Sequence, residues 1–209
     1  MSLFLGKIHY WLFNKILWFN DLEDLILQLI KNEKLDSVNI IEEMNLKFGK
    51  RIENKNLEEI IDLNNIHGWL QEQIFITEGR VAFLVHILLE NNPDNIKKLE
   101  KLFSNQGIID GEKLSYEINS PEKVYREINE FLLDGMPCDR VDQIISKDEI
   151  HISWKKSHCV HKNIWEKENL SVEIFYNLRD SWIESFVKTL NPQMKYEREN
   201  NFYIIKLNQ

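Results

Sequence analysis

Residues 150–161 read Ile-His-Ile-Ser-Trp-Lys-Lys-Ser-His-Cys-Val-His, and their pattern decides the fold class. Ile150, Ile152 and Trp154 alternate with His151 and Ser153, which is the period of a strand with one buried face. Lys155, Lys156 and Ser157 end the apolar pattern, so His158, Cys159 and His161 stand in a loop just past a strand end. Loops carried by a rigid scaffold are where chemistry concentrates. An imidazole beside a thiol can take its proton and leave a nucleophilic thiolate. The same three side chains are also of the type that ligates a transition metal or haem iron. The plain alternative is two solvated histidines and a cysteine packed as a small hydrophobe.

Around this loop the second half reads as helix, strand, loop, helix, strand. Ser120-Pro121 opens a helix whose apolar face is Val124, Tyr125, Ile128, Phe131 and Leu132. Gly135-Met136-Pro137 closes it, and Asp139 to Ile145 is expected to form a short helix with Cys138 at its start, beside Arg140. Ser171 caps a last helix bearing Phe175, Tyr176, Trp182, Ile183, Phe186 and Val187 on one face, and residues 201–207 read as a final strand. The first half reads as helices only. One runs from about Leu3 to Trp18. Asn20, with Glu23 three residues on, has the spacing of a capping box for a second. Val38, Ile41, Met44 and Leu46 mark another, and Leu57 to Glu90 a longer one with a break near Asn64 and Asn65. Asn92 and Pro93 then start a further helix, and Asp110-Gly111 signals a turn with a small hairpin around it.

The expected fold class is therefore α+β: a helix-rich N-terminal half packed with a small C-terminal sheet domain. The division is expected at residues 1–115 and 116–209. Within the helical half, residues 8–16 (Ile-His-Tyr-Trp-Leu-Phe-Asn-Lys-Ile) and 66–74 (Ile-His-Gly-Trp-Leu-Gln-Glu-Gln-Ile) agree at five of nine positions. That match suggests a pseudo-symmetric pair of helices with His9 and His67 at the edge of a shared pocket, against the alternative of chance similarity. Glu78 and Arg80 read as a surface ion pair, and His86 as a satisfied core histidine.

Composition narrows the function classes. A net charge of −8 with no Lys/Arg-rich block argues against a protein that coats nucleic acid. Two cysteines make no disulfide scaffold, so a reducing cytoplasm is the expected setting, with a Cys138–Cys159 disulfide as the open alternative. Met1 to Phe19 is apolar, but Lys7, His9, Asn14 and Lys15 interrupt it, so neither a signal peptide nor a stable membrane insertion is expected. An apolar helix of this kind calls for burial by its own domain or at a homodimer interface. No Ser-His-Asp signature, P-loop, Gly-rich dinucleotide fingerprint, H-E-x-x-H or zinc CxxC pair occurs, so no nucleotide cofactor is expected.

From about residue 116 onward the chain resembles the L-2-amino-thiazoline-4-carboxylic acid hydrolase family and the related 4-vinyl-reductase-type small-molecule-binding domains. The likeness is one of layout: a strand, a Cys-bearing loop at His158-Cys159, an aromatic-rich helix with Arg179 and Trp182, and a terminal strand. It implies a cytoplasmic α+β domain with a pocket for a small ligand. It implies thiol-dependent hydrolysis too, if Cys159 matches the family's loop cysteine. Phe202 and Tyr203 stand where members often carry a second cysteine.

Three functions follow as expectations. The first in order is a small-molecule binding or sensing module of bacterial type, with haem or a metal among its potential ligands and His67, Trp69, Arg179 and Trp182 lining its pocket. A metal there would sit on His158, Cys159 and His161. The second is a hydrolase acting on a small carboxylated amide or heterocycle. In it Cys159 attacks, His161 or His158 acts as base, and Arg179 holds the substrate carboxylate. The third is an interaction protein joined through its apolar first helix.

Overall fold

The computed structural model describes residues 5–114 and 118–208. Leu3 and Phe4 at the expected start of the first helix, and residues 115–117 at the expected domain boundary, lie outside them. The fold is α+β, with helices throughout the first part and a four-stranded antiparallel sheet in the second.

The chain forms two compact units. The first comprises Met1–Pro93 and takes in Asn163–Leu170; the second comprises Asp94–Lys162 and Ser171–Gln209. The division thus falls earlier than residue 115. The helix at Asn95–Glu112 belongs to the second unit because Gly107 and Gly111 let it lie against Trp182, Phe186 and Thr189 of the last helix. A Cβ at Gly107 would stand 2.3 Å from the Trp182 carbonyl oxygen, an approach only glycine allows.

In the first unit, α1 (Lys7–Asn32) and α4 (Ile66–Asn91) are 26 residues each and pack together. His9 meets His67, Asn20 meets Thr77 and Glu23 meets Arg80. Every partner lies 57 or 58 positions along, so the helices run parallel with equivalent residues facing. The sequence repeat is thus a matched helix pair, with Leu12 and Leu70, and Ile16 and Ile74, all buried. Asn20 and Glu23 cap nothing. α1 continues through them because their polar groups bond across to α4 rather than to a helix start, Thr77 donating to the Asn20 amide oxygen at 2.9 Å. The apolar first helix is largely buried by its own unit. α2 (Ser37–Phe48) and the short α3 (Leu57–Ile60) complete the unit's local helices. Gly79 does not break α4. It makes room for Phe48, whose Cε1 would be 2.6 Å from a Cβ there.

The second unit begins with α5 (Asn95–Glu112), so Asp110-Gly111 is helical rather than a hairpin turn; Asp110 is buried and accepts from the Trp182 indole. α6 (Pro121–Phe131) starts as expected, with Ser120 accepting from the Lys123 amide. Asp142–Lys147 forms strand β1, not a helix, because its residues ladder onto β2 (His151–Lys156). α7 (Lys162–Lys167) carries Trp165, which is buried in the first unit, and α8 (Val172–Leu190) is the last helix. β3 (Met194–Glu199) and β4 (Phe202–Leu207) complete the sheet in the order β1-β2-β4-β3. β3 was not expected, since its alternation of Met194 and Tyr196 is masked by Lys195, Glu197, Arg198 and Glu199.

Register fixes the two faces of the sheet. Lys147, Ile152, Ile205 and Tyr196 align in one row, and Ile144, Trp154, Tyr203 and Arg198 in another, on the same face. α6 packs on β2 and β4, and α8 on β3, while α5 packs on α8. Ile152, Trp154, Tyr196, Tyr203 and Ile205 are buried there, and this half-apolar pattern is what specifies the register.

Candidate functional site

Arg179, Lys156 and His161 of the second unit converge on Asp134. This residue lies in the turn after α6, anchored by buried Leu132 and Leu133, where Gly135 takes a φ of 71° and Asp139 accepts the Met136 amide. Arg179 of α8 grips the carboxylate with both terminal nitrogens, at 2.7 and 2.6 Å. Lys156, at the end of β2, donates at 2.8 Å, and His161 lies at 3.1 Å through Nε2. Lys156 also bonds Asp142 of β1, which accepts from the Tyr125 hydroxyl.

Burial alone would raise the Asp134 carboxyl, but the Arg179 and Lys156 charges and the His161 hydrogen bond hold it well below the usual carboxylate range. Asp134 is thus ionised, and His161 is the donor through Nε2–H. Arg179 is pulled down by burial yet held well above its ordinary value by Asp134. Its Nε is buried and has no hydrogen-bond partner among the described residues. An unpaired buried donor carries a desolvation penalty of about 1–3 kcal/mol, so this nitrogen stands out in an otherwise satisfied cluster.

Aromatic rings enclose the cluster. The His161 ring is 4.3 Å from that of Phe175, and Tyr203 lies under Lys156 and stacks on Trp154. The Tyr176 hydroxyl donates to the Cys159 thiol at 3.1 Å, and burial followed by that bond pushes the Tyr176 phenol up. In the loop after β2, Ser157, His158 and Cys159 are exposed.

The structure brings together only part of the expected set. His161 turns inward to Asp134, while His158 faces the hydroxyl of Ser157 at 2.9 Å, so neither ring is shown bonded to Cys159. Among the described residues no three His, Cys, Asp or Glu side chains are placed to hold a metal ion, and His158, Cys159 and His161 therefore form no ligand set. Both cysteines are free, so Cys138 and Cys159 do not pair. Arg179 already holds a carboxylate, that of Asp134. Trp182 is fully buried, donating to Asp110 and stacked on Phe186 at 4.6 Å, which makes it core rather than pocket wall.

His67 and Trp69 belong to the first unit. The Nε2 atoms of His67 and His9 are 3.3 Å apart, and the Trp69 ring is 6.5 Å from that of Phe13. Glu78 and Arg80 are not a surface pair: Glu78 accepts from the Trp165 indole and Arg80 pairs with Glu23, all buried. His86 is partly exposed beside Glu90 rather than sealed in the core. A cleft of about 390 Å³ in this unit is lined by Asn20, Asp21, Asp24, Arg51 and Glu53, none of them an expected site residue. Its one cation, Arg51, is held bidentately by Asp24.

Asp134, Lys156 and Asp142 were not expected at a site. Asp134 sits in a Leu-Leu-Asp-Gly turn that reads as simple helix termination, and its main partner is 45 positions away. Among the described residues no helix is long and apolar enough to cross a membrane. No family model, curated protein or solved structure matches the chain.

Proposed function

We propose that the protein is a small-molecule binding or sensing module whose ligand carries a carboxylate or a similar small anion, received at Arg179. The observation that carries this reading is the buried, unpartnered Nε of Arg179. One edge of the guanidinium is spent on Asp134, and Nε–H is a charged donor awaiting an oxygen acceptor. Lys156 and the His161 N–H add further donors beside the guanidinium. The aromatic rings of Phe175 and Tyr176 offer apolar surface beside it, as small-molecule sites commonly do. The exposed 157–159 segment forms the way in, and the Tyr176–Cys159 contact latches it. The resemblance to small-molecule-binding domains points the same way.

Thermal unfolding in a panel of small carboxylates tests the proposal. A ligand at a hundred times its Kd stabilises by about 2.7 kcal/mol, so a binder raises the Tm of the wild type and leaves that of Arg179→Lys unchanged. A panel in which no carboxylate raises the Tm, or in which both proteins respond alike, removes the reading.

A cysteine-dependent hydrolase is the second reading, favoured by the one contact of Tyr176 with Cys159. It requires His158 or His161 to leave its present partner and reach the thiol. Turnover that survives Cys159→Ser would dispose of it.

A further inference from the structure

The sheet ends on a strand with a bare outer edge. Among the described residues β1 pairs only with β2, and residues 143–150 are all exposed, with Ile144 at 49% and Ile145 at 51%. The opposite edge, β3, carries Lys195, Glu197 and Glu199, the charges that usually keep an edge from pairing. β1 instead has two isoleucines at its centre.

The register of β1 against β2 contains a shift. Asp142, Ile144 and Lys147 oppose Lys156, Trp154 and Ile152, and so share one face; Gln143 and Ser146 oppose Lys155 and Ser153 on the other. Ile145 is the extra residue of a bulge, and it displaces the alternation by one. That displacement makes the strand complementary to itself. Laid antiparallel on a second copy, with a two-fold axis between Ile144 and Ile145, Asp142 falls opposite Lys147 and Gln143 opposite Ser146, each pair on a single face. Ile144 falls opposite Ile145 at the axis. In a strand without the bulge, the same pairing would set side chains of opposite faces against each other.

We infer that β1 is the interface through which two copies of this chain associate, joining their sheets into one. The interface is isologous, as closed dimers require. Opposite-charge pairs across strands stabilise such a ladder, and like charges oppose it. Lys147 is about half exposed where it bonds Glu122, so it can reach a second carboxylate, while Asp142 keeps its bond to Lys156.

Sedimentation equilibrium of the full chain tests this. The wild type is expected at twice the 25.1 kDa chain mass, and Ile145→Lys at the single mass with unchanged far-ultraviolet circular dichroism. Gln143→Cys with Ser146→Cys, in a chain carrying Cys138→Ser and Cys159→Ser, is expected to form a disulfide-linked dimer on oxidation; this variant decides the matter if Ile145→Lys fails to fold. A wild type of single mass overturns the inference. So does a dimer that survives Ile145→Lys, or one that is split by Ile8→Glu on α1 while Ile145→Lys leaves it whole.

Discussion

Each unit of the protein buries an arginine against a carboxylate, and the two arrangements differ in what they leave over. In the first, Arg80 spends every nitrogen: Nε and one terminal nitrogen go to Glu23, and the other bonds Asn45 and the Gly49 carbonyl. Both side chains of the pair are at most 3% exposed. This is a sealed clamp joining α1, α4 and the end of α2. In the second, Arg179 leaves Nε unpartnered, Lys156 and His161 crowd the same carboxylate, and Asp134 is 14% exposed. A sealed ion pair fixes structure. An incompletely satisfied one with a route to solvent is where a ligand can gain by completing it.

The sharpest way to break this contrast is to remove one partner from each pair. Arg80→Met leaves buried Glu23 with only the more distant Arg51 at 3.7 Å, and losing a buried ion-pair partner costs about 3–5 kcal/mol; chemical denaturation should show the loss, and Glu23→Leu added to Arg80→Met should restore part of it. Asp134→Asn is expected to cost less, about 2–3 kcal/mol for the charged hydrogen bonds it weakens, because the amide oxygen still accepts from buried Arg179 and Asp142 still neutralises Lys156. Equal losses at the two sites would mean that both are simple clamps.

Acid sharpens the comparison further. The folded pKa of Asp134 lies below its unfolded value of about 3.9, so as pH falls the unfolded chain takes up the proton first. Its contribution to stability is whole above about pH 5 and is lost progressively as pH drops through 4 toward the folded value. In a denaturation series from pH 6 to 3 on the wild type and Asp134→Asn, the gap between the two should narrow toward the acid end. Parallel curves would count against the assignment.

Gly79→Ala tests packing in the sealed unit. The new methyl meets Phe48 at 2.6 Å, and overpacking of this kind costs about 1–3 kcal/mol, partly offset by about 1 kcal/mol of helix propensity. Cys159→Ser should change stability least, within about 0.5 kcal/mol, as for other exposed positions.

The sequence made local features legible and distant ones illegible. Ser120 and Ser171 cap where their spacing says they should, and the alternation of Ile152 and Trp154 marks the central strand, because those signals act within a few residues. Asn20 and Glu23 mimic a helix start since the local pattern cannot show that Thr77 and Arg80, 57 positions on, claim their side chains. The same distance hid the site. His161 and Arg179 stand out by residue type, but only the fold brings Asp134 and Lys156 to them and sets the His161 Nε2 against Asp134. Residues 139–145 read as a short helix because a bulge interrupts the two-residue period that marks β1.

The most direct measurement is the arginine Nε–H signal in a nitrogen-15 NMR spectrum, with Arg179 and Arg80 assigned by substitution to lysine. On titration with a carboxylate that raises the Tm, the Arg179 Nε–H resonance should move downfield as it gains an acceptor, while that of Arg80, already bonded to Glu23, stays in place. An Arg179 signal that does not move, or one that moves in step with Arg80, would contradict the account.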